Sequence, residues 1–273
     1  MNRRNAVIAA TLAPLILLAG CAQSAGLAPP PLDELLPTPL LLIGEQHDAP
    51  EHQQLQRATV QLLAQRGELA ALVIEMAEQG RQTTGLPADA AENLVRERLD
   101  WVARSPGGWS WSSYGPVVMA AVRADVPVLG GNLPRARMRA AMADESLDQL
   151  LTADTLRQQR DNIRQGHCDL LPESQVAPMT RIQIARDQAM ARTALATLRP
   201  GQTVLLVAGN QHVRRDLGVP LHLPPGQPLQ VLVMLSQADG PVDPAAAAAD
   251  RVWNTTPRPP RDYCAELKTQ IGR

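Results

Sequence analysis

Three residues near the start of the chain have side chains that can bind metal ions or move protons. Glu45, His47 and Asp48 come directly after an apolar run at residues 40–43 and a glycine. Carboxylate and imidazole groups coordinate divalent metal ions, and imidazole gains and loses a proton near neutral pH. In an open α/β sheet, the turn that follows a strand is the place where ligands bind. The segment therefore predicts a functional site in a strand-to-helix turn.

Similar polar side chains follow the other apolar runs of the sequence. Three of these runs end in or are followed by such residues: Glu75, Asn132, and the pair Asn210 and His212. If the runs are parallel strands, their carboxyl ends share one rim of the sheet. We therefore expect four residues to converge at this rim: Glu45, His47, Glu75 and His212.

Two chemical roles and one structural role fit these four residues. Two imidazoles and two carboxylates suit Zn, Mn, Fe or Co, and a metal with an open position would activate water to hydrolyse a peptide or an ester. The residues could also act as acid and base groups of such a hydrolase. Alternatively, Glu45 and Glu75 are helix-capping or ion-paired carboxylates with His47 as their partner. A functional rim is favoured, because burying a carboxylate at the end of an apolar strand is costly.

The elements that must position these residues alternate along the chain. Near-continuous apolar runs separated by helical patterns predict an α/β fold, with a mostly parallel central sheet and helices on both faces. The predicted strands are residues 40–43, 71–76, 126–130, 203–208 and 229–235. The first predicted helix begins at Pro50 and ends near Gln65. Further helices are predicted at residues 88–103, 116–124, 146–165 and 175–198, and another begins at Pro134.

Local signals add detail to this outline. Asp48 and Glu51, three residues apart around Pro50, predict a capping box at the start of the first helix. Leu94 and Leu99 are predicted to point inward from the helix at residues 88–103. The segment after that helix predicts a loop that contains three aromatic residues: Trp109, Trp111 and Tyr114.

The composition agrees with one folded domain that has an aliphatic core. The chain has 273 residues, of which 45% are hydrophobic and only 2% aromatic, with no Phe. A formal net charge of −1 indicates neither nucleic acid nor an acidic membrane surface as a partner. No internal repeat or clean boundary is evident, so residues 39–273 are predicted to form a single domain.

The first residues predict an export signal. Two arginines precede an apolar stretch at residues 6–18, which is short for a membrane span and ends in Leu-Ala-Gly-Cys21. Residues 1–20 are thus similar to a bacterial lipoprotein signal, in which the cysteine is acylated; the alternative is an ordinary secretory signal. No Asp follows Cys21, so we expect a lipid anchor in the outer membrane, a domain facing the periplasm, and a flexible tether at residues 21–38.

Cys168 and Cys264 are the two remaining cysteines. Outside the cytoplasm such a pair commonly forms a disulfide, which is our prediction here. A pair of free or metal-binding cysteines is the alternative, although neither residue belongs to a CxxC motif.

Taken together, several motifs resemble those of the ChaN family. They are GEQHD followed by His52, the strand-end Glu75, the Trp-x-Trp-x-x-Tyr segment, Gly-Asn-Leu-Pro-Arg at 131–135, Gly-Asn-Gln-His at 209–212, and segments 168–174 and 185–191. The similarity runs from about Leu40 to Leu223. ChaN proteins are iron-regulated, haem-binding lipoproteins of Gram-negative bacteria and belong to the Tiki superfamily.

The resemblance carries functional expectations. It implies haem binding in haem or iron uptake, a homodimer that holds paired haems between subunits, and an outer-membrane haem receptor as a partner. Other branches of the superfamily include metal-dependent proteases and erythromycin-esterase-like enzymes. Their GxxH motif, strand-end Glu and late His correspond here to Gly44 with His47, Glu75 and His212.

Haem binding needs an axial ligand, apolar walls and cations for the propionates. We expect His52 or Tyr114 as the ligand, and Arg135, Arg137 or Arg214 as propionate partners. The alternatives are that Tyr114 belongs to a packed aromatic lid, that His52 is solvated, and that Arg135 lies on a solvent-exposed helix surface. Two further histidines are assigned to loops without a role: His167 and His222.

The sequence thus favours a periplasm-facing, haem-binding lipoprotein with one α/β domain. A metal-dependent hydrolase and an interaction scaffold are the alternatives. The lack of Phe leaves few aromatic walls for a porphyrin but does not affect the predicted rim.

Overall fold

In the part of the chain that the structure describes, six parallel strands form one sheet. The computed structural model of this protein describes residues 32–101, 109–236, 243–259 and 261–271. The strands are β1 (Leu40–Glu45), β2 (Leu69–Glu78), β3 (Val128–Asn132), β4 (Thr203–Gly209), β5 (Gln230–Leu235) and β6 (Arg251–Asn254). Their order is β3-β2-β4-β1-β5-β6, and all neighbouring pairs are parallel. The predicted α/β fold with a parallel sheet is confirmed.

Helices connect these strands. They are α1 (Pro50–Gln65), α2 (Glu92–Arg98), α3 (Trp111–Arg123), α4 (Arg135–Ala143), α5 (Ala153–Gly166), α6 (Glu173–Ala196), α7 (Asn210–Val213), α8 (Pro244–Ala247) and α9 (Tyr263–Ile271). The described ranges also contain short 3-10 turns at Leu32–Glu34, Glu145–Leu150 and Val219–His222.

Both faces of the sheet are covered by helices. Leu41 and Ile43 of β1 pack in one apolar cluster with residues of α1 and α3, whereas Leu40 and Leu42 pack in a second cluster with residues of α6. Successive side chains of a strand point to opposite faces, so every residue of β1 is buried. This arrangement explains why the strands read as continuous apolar runs rather than as alternating patterns.

The predicted aromatic loop is partly the start of a helix. α3 begins at Trp111 and contains Tyr114, and Pro116 lies inside it. The Ser110 side chain caps the helix by accepting a hydrogen bond from the backbone N–H of Ser112. Burial of the α3 side chains against α1 and the sheet offsets the cost of a proline within the helix. The helical spacing of the apolar residues therefore predicted this region better than the helix-breaking tendency of Pro116 did.

Two other predicted helices differ from those observed. Of the helix expected at residues 88–103, residues 102 and 103 lie outside the described part, and within residues 88–101 only α2 is helical. Leu99, just after α2, is buried, but Leu94 is 39% exposed. Val95 occupies the inward position instead. The polar helix expected at residues 146–165 is a 3-10 turn followed by α5, because Thr152 caps a new helix there.

The folded part of the chain begins before the predicted domain start. Leu32 and Leu35 are buried in the cluster formed by α1 and α3. The last residues of the predicted tether therefore pack in the domain. The predicted signal peptide and Cys21 lie outside the described residues.

The expected capping box at the start of α1 is wrong. The N-cap is Ala49, whose side chain makes no capping bond, and Pro50 occupies the first helical position. A proline there has no N–H to satisfy, which lowers the need for a cap. Asp48 instead pairs with Arg258, and Glu51 accepts a hydrogen bond from the backbone of Thr256.

The C-terminal region adds a strand and a covalent link. β6 extends the sheet beyond β5, although its short, largely exposed sequence gave no strand signal. Cys168, between α5 and α6, forms a disulfide with Cys264 in α9, and their Cα atoms are 5.5 Å apart. This pairing is the one predicted. In the part of the chain that the structure describes, no helix is long and apolar enough to cross a membrane.

Candidate functional site

The carboxyl ends of three strands bring the predicted rim residues together. Glu45 ends β1, His47 lies in the turn before α1, and His212 lies in α7 after β4. Nδ1 of His47 is 2.8 Å from Oε1 of Glu45, and Nε2 of His47 is 3.6 Å from Oε2 of Glu75. Nε2 of His212 is 3.3 Å from Oε1 of Glu75. Residues far apart in sequence therefore converge at one rim, as the strand-end pattern predicted.

Glu45 is a buried carboxylate surrounded by hydrogen-bond donors. Its Oε2 accepts hydrogen bonds from the amides of Gln53 and Gln56 at 2.7 and 2.5 Å. Its Oε1 accepts a hydrogen bond of 2.5 Å from the Tyr114 hydroxyl. The two glutamines lie three residues apart on one face of α1, which is why both reach the same carboxylate. Glu45 is thus fully satisfied without any ligand.

His212 is enclosed between two acidic side chains. Its Nδ1 lies 2.5 Å from Oδ1 of Asp187, a residue of α6, and its Nε2 faces Glu75. Burial alone would lower the pKa of His212, but the charges of Glu75 and Asp187 and hydrogen bonds to both raise it to about 10. His212 therefore carries a positive charge at neutral pH.

The other ionisable rim residues respond to the same charges. Burial would raise the pKa of Glu75, but His212, His47 and the backbone N–H of Gly209 hold it well below its ordinary value. Burial would lower the pKa of His47, but the hydrogen bond to Glu45 and the charge of Glu75 raise it. Burial is also the main reason that the pKa of Asp187 rises to about 6. We call these residues the rim cluster: Glu45, His47, Glu75, Asp187 and His212.

The expected divalent metal site at Glu45, His47, Glu75 and His212 is not supported. Among the described residues, no group of three or more acidic, histidine or cysteine side chains is arranged to hold a metal ion. The physical reason is that the imidazoles and carboxylates face one another as ion pairs, so a charged His212 offers no lone pair. The structural alternative, ion-paired carboxylates with His47 as a partner, describes the geometry better.

His52 is enclosed in the protein. Its side chain is fully buried, Nδ1 accepts a hydrogen bond from the backbone of Gln46, and Nε2 lies 2.9 Å from the Thr255 hydroxyl. Burial lowers the pKa of His52 to about 4, so the ring is neutral at pH 7. Both ring nitrogens are occupied, and we correct the expectation that His52 is a haem ligand or a solvated residue. It joins the β1–α1 turn to the C-terminal region.

Tyr114 is also enclosed. Its ring is 2% exposed and packs near Trp101, while its hydroxyl is held by Glu45. Burial and the charge of Glu45 raise the pKa of Tyr114 well above its ordinary value, which opposes the phenolate that an iron ligand requires. The rings of Trp109 and His47 meet edge to face, and their centroids are 5.7 Å apart. The packed aromatic group considered as an alternative is therefore the arrangement observed.

The predicted propionate partners have different surroundings. Arg214 is buried and bonded through two nitrogens to Asp216, so it is occupied. Arg135 begins α4, directly after the rim end of β3, and it is exposed. No acidic partner for the Arg135 side chain is found within the described ranges. Its guanidinium is therefore free to meet an anion at this edge of the sheet.

Sequence reasoning missed several residues of the rim. Asp187 lies on the buried face of α6, three residues from both Ile184 and Met190, and is 1% exposed; that position on the inward face was a usable signal. The amide of Gln183, one turn earlier, is 3.0 Å from Nε2 of His212. Tyr263, whose hydroxyl bonds to Asp48, carried no signal because it is distant in sequence.

A parallel sheet with ionisable side chains at its carboxyl edge defines an α/β protein with a rim site. Residues 32–223 match the family described as haem-binding uptake, Tiki superfamily, ChaN. The match covers more than half of the 273 residues, and the chain belongs to the ChaN family. A comparison with curated proteins finds no match.

A solved structure of another ChaN protein shows the same fold. ChaN of Campylobacter jejuni, in a structure that describes cofacial haem binding, aligns with a TM-score of 0.64 and 22% identity over 81% of this chain and 89% of that chain. The type III effector HopBA1 aligns with a TM-score of 0.44 and 14% identity over 80% of this chain and 88% of its own.

Proposed function

We propose that this protein binds haem at the rim, with Tyr263 as the iron ligand and Arg135 as a propionate partner. The observation that carries haem binding is membership of a haem-binding family over residues 32–223. Bound haem supplies an iron centre whose axial ligand the protein must provide. His52 and Tyr114 are enclosed, so the ligand must come from another accessible side chain near the rim.

Tyr263 has the surroundings that an iron ligand needs. It is 50% exposed, and its hydroxyl donates a hydrogen bond to Oδ2 of Asp48 in the turn after β1. The guanidinium of Arg261 lies 5.1 Å from the centre of its ring. Burial and the Asp48 carboxylate raise the pKa of Tyr263, so the free protein keeps the phenol protonated. Arg258, whose charge and hydrogen bond lower the pKa of Tyr263, supplies the positive charge that stabilises the phenolate once its proton leaves.

A cleft of mixed polarity lies beside this turn, and its polar lining residues include Glu51 and Gln54. It has a volume of about 470 Å³, which falls within the range of roughly 300–1,000 Å³ usual for small-molecule sites. Pro50, Pro257 and Pro259 line it, together with Arg258. Prolines thus supply apolar surface in a chain that has no Phe.

Haem titration of four proteins tests this proposal. The chain has only two tyrosines, so Tyr263→Phe and Tyr114→Phe together cover every phenol. We expect saturable Soret absorption with the wild type, loss of the tyrosinate charge-transfer band with Tyr263→Phe, and retention of that band with Tyr114→Phe. Arg135→Ala should weaken affinity but keep the band. No saturable absorption with the wild type would contradict haem binding itself, and an unchanged band in Tyr263→Phe would contradict only the ligand.

We also propose that the protein is a lipoprotein of the outer membrane that faces the periplasm and passes haem or iron to an uptake system, with a haem receptor as partner. The support is the Leu-Ala-Gly-Cys21 signal and the family's description as uptake proteins. Cys21→Ser should move the protein from the outer-membrane fraction to the soluble periplasm. A variant that stays in the membrane fraction would contradict the lipid anchor.

A further inference from the structure

The C-terminal residues form a strap held at two places. We define the C-terminal strap as residues 255–259 and 261–264. At one end Thr255 is buried, with its hydroxyl on His52 and its backbone N–H on Leu235. At the other end Cys264 is bonded to Cys168 between α5 and α6. The strap therefore spans from the β1–α1 turn to the α5–α6 turn.

The two anchor points lie next to segments that carry residues of the rim cluster. The β1–α1 turn carries His47, and the helix that follows Cys168 is α6, which carries Asp187. The strap thus joins two segments that carry residues of the rim cluster, through chain that lies outside the region matched to the family.

The contacts between these anchors are exposed and polar. Arg258 pairs with Asp48, and the side chains are 25% and 35% exposed. Arg261 lies 4.0 Å from Asp48 and is 53% exposed, and Tyr263 bonds to the same carboxylate. Ion pairs at such exposed positions are weak and are screened by salt. Up to Arg258 the strap is also held by hydrogen bonds to Ser236 and to the Asp48 carbonyl. Beyond Arg258 the disulfide is the covalent link that holds the strap in place.

We propose that the Cys168–Cys264 disulfide is a redox latch that holds the C-terminal strap, and with it Tyr263, at the haem site. The latch rests on the proposed haem site, because Tyr263 is the neighbour of Cys264 in the sequence. A dithiol reductant breaks the Sγ–Sγ bond; each sulfur gains one electron and one proton, and the dithiol becomes a cyclic disulfide. Reduction frees the strap beyond Arg258, and haem leaves faster.

The latch is tested by hydrogen exchange and haem dissociation on the same full-length samples. Wild type is compared before and after treatment with a dithiol, next to the double variant Cys168→Ser/Cys264→Ser, which has no latch to open. We expect exchange to rise in residues 46–52 and 256–264 after reduction and in the double variant, while β1, β2 and β4 keep their protection.

Haem transfer to excess apomyoglobin should then be at least about tenfold faster from reduced wild type than from oxidised wild type. The double variant should release haem at the fast rate and should not respond to the reductant, which separates the latch from direct effects of thiols on haem. If oxidised wild type binds no haem, the proposed function fails, and the exchange result alone decides the latch. Unchanged exchange in residues 256–264 on reduction would overturn it.

Discussion

At the scale of single residues, the rim cluster is an array of paired charges. His212 lies between Glu75 and Asp187, and all three are nearly inaccessible to solvent. A buried charge destabilises the fold unless its partners are present, because it has lost its hydration and nothing else compensates for that loss. His47, whose side chain is 38% exposed, is the point at which the cluster meets solvent.

Removing Asp187 should therefore be costly. We expect Asp187→Ala to lower the free energy of unfolding by about 3–5 kcal/mol, because it leaves the His212 imidazolium short of one partner. Denaturant titration measures this change. Asp161→Ala is the matched control, since Asp161 pairs with Arg164 on the exposed side of α5, and it should cost less than about 1 kcal/mol. Equal costs for the two variants would contradict the role assigned to Asp187.

His52 predicts an acid-sensitive step in stability. Its pKa in the folded protein is about 4, lowered from 6.5, so folding opposes protonation of the ring. The contribution of neutral His52 is fully present above pH 6.5 and is lost as the pH falls towards 4, with a total of roughly 3 kcal/mol.

The variant His52→Gln isolates this step. Glu75, whose pKa is lowered, also loses its contribution in acid, but only below its ordinary value of 4.5. Burial also lowers the pKa of His222 to about 4, so His222 loses a contribution in the same range. We therefore expect the free energy of unfolding to fall between pH 6.5 and 4.5 in both proteins, and to fall less in His52→Gln than in wild type. Parallel pH profiles for the two proteins would refute the assignment.

At the scale of elements, the close approach of β2 and β3 determines the position of the carboxyl end of β2, the strand that carries Glu75. A Cβ atom on Gly130 of β3 would lie 2.1 Å from the carbonyl oxygen of Glu78 in β2. The register between these strands shifts between Ile74 and Glu78, so the backbones approach one another there. Only glycine fits this position without displacing the end of β2.

Substitution of Gly130 tests the close approach of β2 and β3. Gly130→Ala should lower the free energy of unfolding by more than about 2 kcal/mol, because the clash is with backbone rather than with a flexible side chain. Gly166→Ala, at the last residue of α5, meets nothing within 4 Å and should be neutral or slightly stabilising. Thermal and denaturant unfolding compare the two. Similar losses in both variants would show that β2 and β3 are not so close.

The element scale also shows what pattern alone predicts. The first helix, predicted from Pro50 to about Gln65, and the five apolar strands were found close to their expected positions. These elements have strong periodic or continuous apolar signals. β6 and the break before α5 were not predicted, since the first depends on pairing with β5 and the second on a local cap.

At the scale of the whole molecule, the haem proposal predicts a change of assembly. We propose that two copies form a homodimer when haem is bound, as the family resemblance implies. Because a ligand that binds the dimer stabilises it by mass action, haem should shift the sedimentation of wild type from monomer to dimer. Tyr263→Phe should remain monomeric at the same haem concentration. A dimer of unchanged stability with and without haem would contradict this coupling.

The sequence by itself determined the parallel α/β fold, the apolar strands, the disulfide partners and the residues at the strand ends. These follow from local composition and from the rule that parallel strands share one carboxyl edge. Only the tertiary structure decided how those residues are used. Glu75 became the partner of two imidazoles, His52 and Tyr114 were enclosed, and Tyr263 was brought to Asp48. Burial and charge pairing depend on contacts between distant segments, which no local pattern encodes.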